Sequence, residues 1–291
     1  MLCPNCREAI NPASFVCSNK HQFAHEDGVF VLLEEDFGRR LRAFTDGFSA
    51  LRAAENKRLL DTSAYEKLPF AEAVNGNTEW RLRGYDLAVI RKLLSRREPQ
   101  RVLDVGAWNG WLSHRLAAQG HHVTAIDYFT DKYDGLGAKK FYSTGWQPIQ
   151  MDLTDLSVLS ECYDVVILNR CVQFFANPVA YATAVKQYVA PGGLLVLTGL
   201  QFFHDTQEKA RSITALRAYL NSHGLDFFKP MKGYLDFADK QHLRAQGVLF
   251  RHYPQLWLAN LKSMLKRNLP RHYYGVWFHP EKRSSGVERI Y

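Results

Sequence analysis

Residues 101–113 read RVLDVGAWNGWLS: an apolar run ends on Asp104, turns through Gly106 and Gly110, and opens a helix. A strand that feeds a glycine-bearing turn and then a helix can hold a ligand against the helix N-terminus. Trp108 stands in the middle of that turn, where a nucleotide-binding loop usually carries glycine. The stretch is therefore either a cofactor cradle with a bulky residue in it, or a buried strand end that imitates one.

The flanking sequence favours a parallel sheet. Upstream, RLRGYDLAVIRKLLSRR (81–97) puts Leu82, Tyr85, Val89 and Leu93 on one stripe of an amphipathic helix that Pro99 stops. Downstream, GWLSHRLAAQG (110–120) reads as a helix ended by Gly120, and HVTAID (122–127) as a second strand. WQPIQMDL (146–153) and YDVVILNRC (163–171) supply a third and fourth. PVAYATAVKQYVA (178–190) is a helix, PGG a turn, and LLVLTGL (194–200) a fifth strand. Regular strand–helix alternation predicts an α/β, doubly covered parallel sheet with right-handed crossovers. Such sheets bind ligands beyond the carboxyl ends of their strands, here Asp104–Gly110, Asp127–Tyr128, Met151–Leu153 and Asn169–Phe175.

Asp127 ends the second strand, where a carboxylate can accept both hydroxyls of a ribose. That suits a dinucleotide or S-adenosylmethionine. The dinucleotide fingerprint needs Gly-x-Gly-x-x-Gly beneath a pyrophosphate. Here the spacing is Gly106-x-x-x-Gly110 and Asp104 precedes it, so a pyrophosphate would meet a carboxylate, whereas the ammonium group of S-adenosylmethionine would be attracted.

Residues 101–200 resemble the class I S-adenosylmethionine-dependent methyltransferases. VLDVGAWNG (102–110) is similar to their first motif and VTAIDY (123–128) to the ribose-binding strand end. MDL (151–153), DVVILNRCVQFF (164–175) and PGGLLVLTG (191–199) follow in the family's order. The resemblance implies a Rossmann-like fold and a cofactor held by Asp104, Gly106, Ala107, Trp108, Gly110, Trp111, Asp127, Tyr128, Asp152, Leu153 and Asn169, with Asp152 and Leu153 at the adenine. The family commonly has glycine at the place of Trp108. Trp108 and Trp111 either wall the sulfonium as cation–π partners or simply pack.

Candidates for acid–base chemistry are His204 and Asp205, just past the fifth strand; the alternative is a loop histidine followed by a helix-capping aspartate. NRCVQFF replaces the Asp/Asn-Pro-Pro-Tyr signature of exocyclic amine methylation. Cys171 reads as a small buried residue, and Gln173, Tyr142 and Tyr133 as residues that could orient an acceptor.

The N-terminus carries a separate signal. In CPNCREAINPASFVCSNKH (3–21), Cys3 and Cys6 form a Cys-x2-Cys pair, and Cys17 with His21 supplies a second pair. Three thiolates and an imidazole make a closed tetrahedral set suited to structural Zn2+, with His25 a weaker fourth ligand. DGVFVLLEED (27–36) is expected to close this ribbon as a short strand. The arrangement resembles the zinc ribbon of ribosomal RNA guanine methyltransferases and of a wider set of bacterial methyltransferases.

The whole positive excess of +8 falls in residues 229–291, which hold 12 Lys/Arg against 4 Asp/Glu. A basic segment of this kind suits an anionic partner or is a solvated face. Within it, PQLWLANLKSMLKRNLP (254–270) is an amphipathic helix expected to dock on the core, lie on a membrane surface or cap the acceptor site, and RHYYGVWFHP (271–280) suits stacking on bases or an ordinary strand. No apolar run is long enough to span a bilayer and no secretory leader is apparent, so the expected compartment is the cytoplasm.

The expected organisation is a zinc ribbon (1–35), a helical linker and cap (36–98), a cofactor-binding core (99–228) and a basic extension (229–291) that completes the core or the acceptor site. The expected function is methyl transfer to a small or medium-sized, anionic or glycosylated acceptor. The alternatives are an RNA base methyltransferase and a non-catalytic binding module on the same scaffold.

Overall fold

Apolar runs with no polar interruption pair side by side in the computed structural model, which describes residues 1–95 and 97–280. The last eleven residues of the basic segment lie outside the described residues. The chain begins with β1 (Ile10–Asn11), β2 (Val16–Cys17), β3 (Ala24–Glu26) and β4 (Val29–Leu32), then α1 (Glu35–Ala54) and α2 (Thr78–Leu94). It continues through β5 (Arg101–Val105), α3 (Trp111–Ala117), β6 (His122–Asp127), β7 (Gln147–Met151), β8 (Tyr163–Asn169), α4 (Pro178–Val185) and β9 (Val189–Phe203). α5 (Gln207–Ser222), β10 (Leu235–Asp236), α6 (Phe237–Ala245), β11 (Leu249–His252), α7 (Trp257–Leu265) and β12 (Arg271–Phe278) follow.

One sheet runs in the order β11-β12-β9-β8-β5-β6-β7-β4-β3, with β10 beside the end of β9. Strands β4 to β9 are mutually parallel, and β12 inserts antiparallel between β9 and β11. Both faces are buried, so alternate residues of one strand enter different cores. Val165, Ile167, Leu194 and Val196 face the layer containing α2 and α3. Val166, Leu168, Leu195 and Leu197 face the layer that includes Ala182 and Val185 of α4 and Leu243 of α6.

Several sequence expectations are corrected. Val29–Leu32 does more than close the N-terminal hairpin with β3: it also pairs in parallel with β7, Phe30 opposite Ile149 and Leu32 opposite Met151. Three of its four side chains are buried, as an interior strand requires. The PGG stretch is not a separate turn but a bulge within β9, where pairing with β8 jumps from Tyr163–Val189 to Val165–Leu194. Of the expected stripe on α2 Leu82 is buried, while Tyr85, Val89 and Leu93 are only half-buried; Trp80, Gly84, Leu87, Ile90 and Leu94 are buried with it, and Asp86 among them.

The segment between β6 and β7 makes no long helix. It folds against the N-terminal cap through Arg52–Asp134 at 2.8 Å and Arg58–Asp131 at 2.6 Å. Gly135 and Gly137 permit this, since a Cβ at either would run into the backbone of residues 129–131. Gly145 has open space around it. Gly137→Ala should therefore lower stability by roughly 1–3 kcal/mol while Gly145→Ala stays within about 0.5 kcal/mol of the parent in urea titrations; equal midpoints for the two would contradict this packing.

Candidate active site

The turn after β5 is fixed by hydrogen bonds to the next strand. Gly106 N and Ala107 N donate to Ile126 O at 2.9 and 3.1 Å, and Trp108 N donates to an Asp127 carboxylate oxygen at 2.7 Å. Gly106 (φ +70°), Trp108 (φ +53°) and Gly110 (φ +75°) all take the left-handed conformation. For Trp108 that costs about 1–2 kcal/mol, which glycine would not incur. Its indole stacks on Trp80 of α2 with centroids 5.7 Å apart, and the Arg83 guanidinium lies 5.2 Å from the Trp108 ring and 5.0 Å from that of Trp80. Trp111 meets Trp80 edge-on at 6.1 Å. The backbone at position 108 thus does what a glycine would, and the bulky ring is taken up by α2. The other two glycines are closed over: a Cβ at Gly106 would lie 2.8 Å from Cys171 Cβ, and one at Gly110 would enter the Trp146 ring. Gly110 makes room for the Trp146 ring.

Two carboxylates end neighbouring strands. Asp104 is fully buried; Ser113 Oγ donates to its Oδ2 at 2.7 Å, while its Oδ1 has no partner. Burial pushes its pKa up to about 7, against the Ser113 hydrogen bond, and Asp127 adds to the rise. Asp127 accepts from Trp108 N and, at 2.9 Å, from Phe129 N. Burial raises its pKa while these backbone donors lower it.

Asp152, beyond β7, is engaged differently. Lys229 Nζ donates to both of its oxygens at 2.6 Å, Tyr128 Oη donates at 3.2 Å, and Thr154 contributes its backbone N and Oγ1. A cavity of about 280 Å3 opens beside this pair, bounded also by Leu32, Phe37 and Arg40. Leu153 is buried, and its carbonyl accepts from Tyr181 Oη at 2.7 Å.

At the ends of β8 and β9 stands a polar network that sequence reading missed. Buried Asp86 of α2 accepts from Tyr253 Oη at 2.6 Å, Asn169 Nδ2 at 3.2 Å and Arg170 at 3.4 Å. Burial raises its pKa, and Arg170 opposes the rise. Asn169 also donates to Thr198 Oγ1 at 2.7 Å, and Gly199 N donates to Tyr253 Oη at 2.8 Å. Arg170 reaches Glu79 at 3.0 Å from a left-handed backbone (φ +56°). Asp86 carried one signal, a carboxylate inside an apolar helical pattern, but its partners lie 83 and 167 residues away.

The proposed acid–base residues are not brought to this crevice. β9 extends to Phe203, so His204 lies six residues beyond Thr198, about 20 Å up the strand direction. His204 stacks on Phe237 at 3.7 Å among cations, and Asp205 accepts from Gln207 N at 3.0 Å as a helix-entry residue. Cys171 is buried, donates to Val105 O at 3.2 Å, and its thiol pKa is raised by burial. Gln173 donates to Arg170 O at 2.7 Å; Tyr142 is buried on His114, and Tyr133 packs with Phe141.

At the N-terminus the four expected ligands converge. Cys3 Sγ, Cys6 Sγ, Cys17 Sγ and a ring nitrogen of His21 all lie within 4.8 Å of one another. His25 lies apart, stacked on Phe15. The cluster docks on the connection between β7 and β8 through Leu2 N to Val158 O at 2.7 Å and Arg7–Asp155 at 2.6 Å.

Comparison with known proteins agrees with this geometry. The chain is 29% identical over 172 residues to a tRNA U34 carboxymethyltransferase of Pseudomonas fluorescens, covering 57% of this chain and 53% of that protein. It is 29% identical over 123 residues to a malonyl-[acyl-carrier protein] O-methyltransferase of Erwinia billingiae, covering 41% and 45%. It therefore spans about half the length of these curated relatives. A solved Haemonchus contortus phosphoethanolamine N-methyltransferase 2, in complex with phosphomonomethylethanolamine and S-adenosylhomocysteine, shares the fold at a TM-score of 0.50 and 14% identity, over 82% of this chain and 60% of that one. Residues 77–246, more than half of the chain, match the family described as Methyltransferase domain, and the chain belongs to that family.

Proposed function

We propose that this chain is an S-adenosylmethionine-dependent methyltransferase whose cofactor lies across the ends of β5, β6 and β7. The observation that carries this reading is the unpartnered Oδ1 of Asp104, a buried carboxylate oxygen beside a left-handed turn. An unpaired buried acceptor is costly, and a cationic amino-acid group or its bound water would relieve it. When bound, S-adenosylmethionine supplies a sulfonium-activated methyl group. The chain's own residues bind and orient. Asp104 would face the amino-acid end, with Gly106, Ala107, Trp108, Gly110 and Trp111 shaping the turn. Asp127 keeps lone pairs for ribose hydroxyls, and Tyr128, Asp152 and Leu153 would meet the adenine once Lys229 shares the Asp152 carboxylate. Asn169 would stand at the acceptor side, braced by Asp86 and Thr198.

The N-terminal cluster fits a structural Zn2+. A zinc at about 2.3 Å from each sulfur sets ligand atoms about 3.7 Å apart. Here Cys6 Sγ–Cys17 Sγ is 3.7 Å, Cys3 Sγ–His21 Nδ1 is 3.5 Å and Cys17 Sγ–His21 Nδ1 is 3.3 Å.

The acceptor in this proposal is a small or medium-sized, anionic or glycosylated molecule. The basic excess of the C-terminal segment supports an anion, and the malonyl group named for one relative carries a carboxylate. A second reading, an RNA base as acceptor, is favoured by the tRNA named for another relative. Salt-sensitive retention of tRNA that is lost on truncating residues 229–291 supports the second; salt-independent or absent retention supports the first.

Calorimetry with S-adenosylhomocysteine tests the cofactor reading. Binding should be measurable for the parent and weakened at least tenfold in Asp104→Asn; no heat at all would favour a non-catalytic module. Stability adds a signature. The Asp104 pKa is raised on folding, so the native state holds a proton that the unfolded chain has lost. That stabilisation is full below about pH 4 and is gone as pH rises through about 7. Without cofactor, Asp104→Asn should therefore be more stable than the parent at pH 8, and the difference should shrink at pH 5. Elemental analysis should find one zinc per chain, lost in Cys3→Ser with a lowered melting temperature; metal-free protein of unchanged stability would contradict the zinc assignment.

A further inference from the structure

α7 is mounted inside out. Its polar residues Asn260 and Ser263 are buried, while Trp257 (61% exposed), Leu258 (53%), Leu261 (50%), Met264 (61%) and Leu265 (86%) face solvent. Those five occupy positions i, i+1, i+4, i+7 and i+8, one continuous face of a helix. The sequence pattern suggested docking on the core as the usual outcome; the apolar face does the opposite. The reverse mounting is held by specific contacts. Asn260 Oδ1 accepts from His272 N at 2.7 Å and its Nδ2 donates to His272 O at 3.1 Å, so the amide clips onto the β12 backbone as another strand would. Ser263 Oγ donates to Asn260 O at 2.7 Å.

The charge within this stretch of chain has one sign; Asp205 and Glu208, at the entry to α5, meet only its end, at Arg267 O and Asn268 Nδ2. Lys262, Lys266 and Arg267 flank the apolar face, all exposed. From Lys240 to Pro280 the chain has seven Lys/Arg and no Asp or Glu. A second copy docked here about a two-fold axis would bring these cations against themselves. Protein interface cores are depleted in lysine. An anionic bilayer suits both features, taking the apolar face into the headgroup–acyl boundary and the cations at its surface.

We propose that α7 docks this chain onto an anionic lipid bilayer, with Trp257, Leu258, Leu261, Met264 and Leu265 immersed and Lys262, Lys266 and Arg267 at the headgroups. Among the described residues no helix is long and apolar enough to cross a membrane, and α7 in this proposal lies along the bilayer surface. Its anchor, His272, pairs with Gln201, three residues past the Thr198 of the polar network. Docking therefore takes place at the same end of the sheet as the crevice, whatever the acceptor.

Flotation of the full chain with vesicles tests this directly. The parent should float with phosphatidylglycerol-containing vesicles and not with pure phosphatidylcholine at moderate salt. The double variant Leu261→Glu/Leu265→Glu, exposed in the free chain and so expected to keep the parent melting temperature, should lose binding at least tenfold. Lys262→Ala and Lys266→Ala should each weaken it roughly fivefold, the equivalent of about 1 kcal/mol per surface charge. The proposal is overturned by a parent that does not float, by glutamate variants that float like it, or by light scattering that shows a parent dimer abolished by the same substitutions without any vesicle binding.

Discussion

Two carboxylates buried at adjacent strand ends, with no cation paired to either among the described residues, govern the crevice. Asp127 raises the cost of ionising Asp104, and the turn between them is tied down by the backbone N–H groups of Gly106, Ala107 and Trp108, with Cys171 packed against Gly106 and Trp146 against Gly110. Such an arrangement is held together against its own electrostatics, which is the usual mark of a site prepared for a ligand of opposite charge. The left-handed Trp108 belongs to the same constraint: its N–H is needed by Asp127, so its backbone takes a glycine's conformation and its ring is accommodated by Trp80 and Arg83.

The parallel core was legible because its strands are apolar on both faces, which leaves few other ways to bury them. Asp104 and Asp127 were legible because they interrupt those runs at their carboxyl ends. What local sequence did not carry was long-range pairing. Val29–Leu32 is four apolar residues whose local pattern suits a hairpin strand, and its second pairing, with Ile149–Met151 some 120 residues later, is invisible locally. The polar network at Asp86 depends on Tyr253 in the same way. The displacement of His204 has a simpler cause: the apolar run LLVLTGL ends at Leu200, but Gln201, Phe202 and Phe203 also pair with β10 and β12, carrying the following residues away from the crevice.

Segments on both sides of the parallel core, residues 24–32 and 235–278, join its sheet. The N-terminal segment contributes an edge hairpin and a Cys/His cluster packed on one core layer. The C-terminal segment contributes the antiparallel strand that separates β9 from β11 and, through Asn260, fixes a helix with its apolar side outward. The crevice therefore sits between the Asp152–Lys229 pair with its adjoining cavity and a basic C-terminal flank.

The central claim is that Asp104 is a buried acid waiting for a cation, and its own titration is the most direct measure. Carbon-13 spectra of aspartate-labelled protein, compared with Asp104→Asn for assignment, should show one carboxyl titrating near pH 7 in the cofactor-free chain. On saturation with S-adenosylhomocysteine that midpoint should fall by at least about two pH units, as an ammonium group near a carboxylate requires. A carboxyl that titrates in the ordinary aspartate range, or one near neutrality that the cofactor product leaves unmoved, would contradict it.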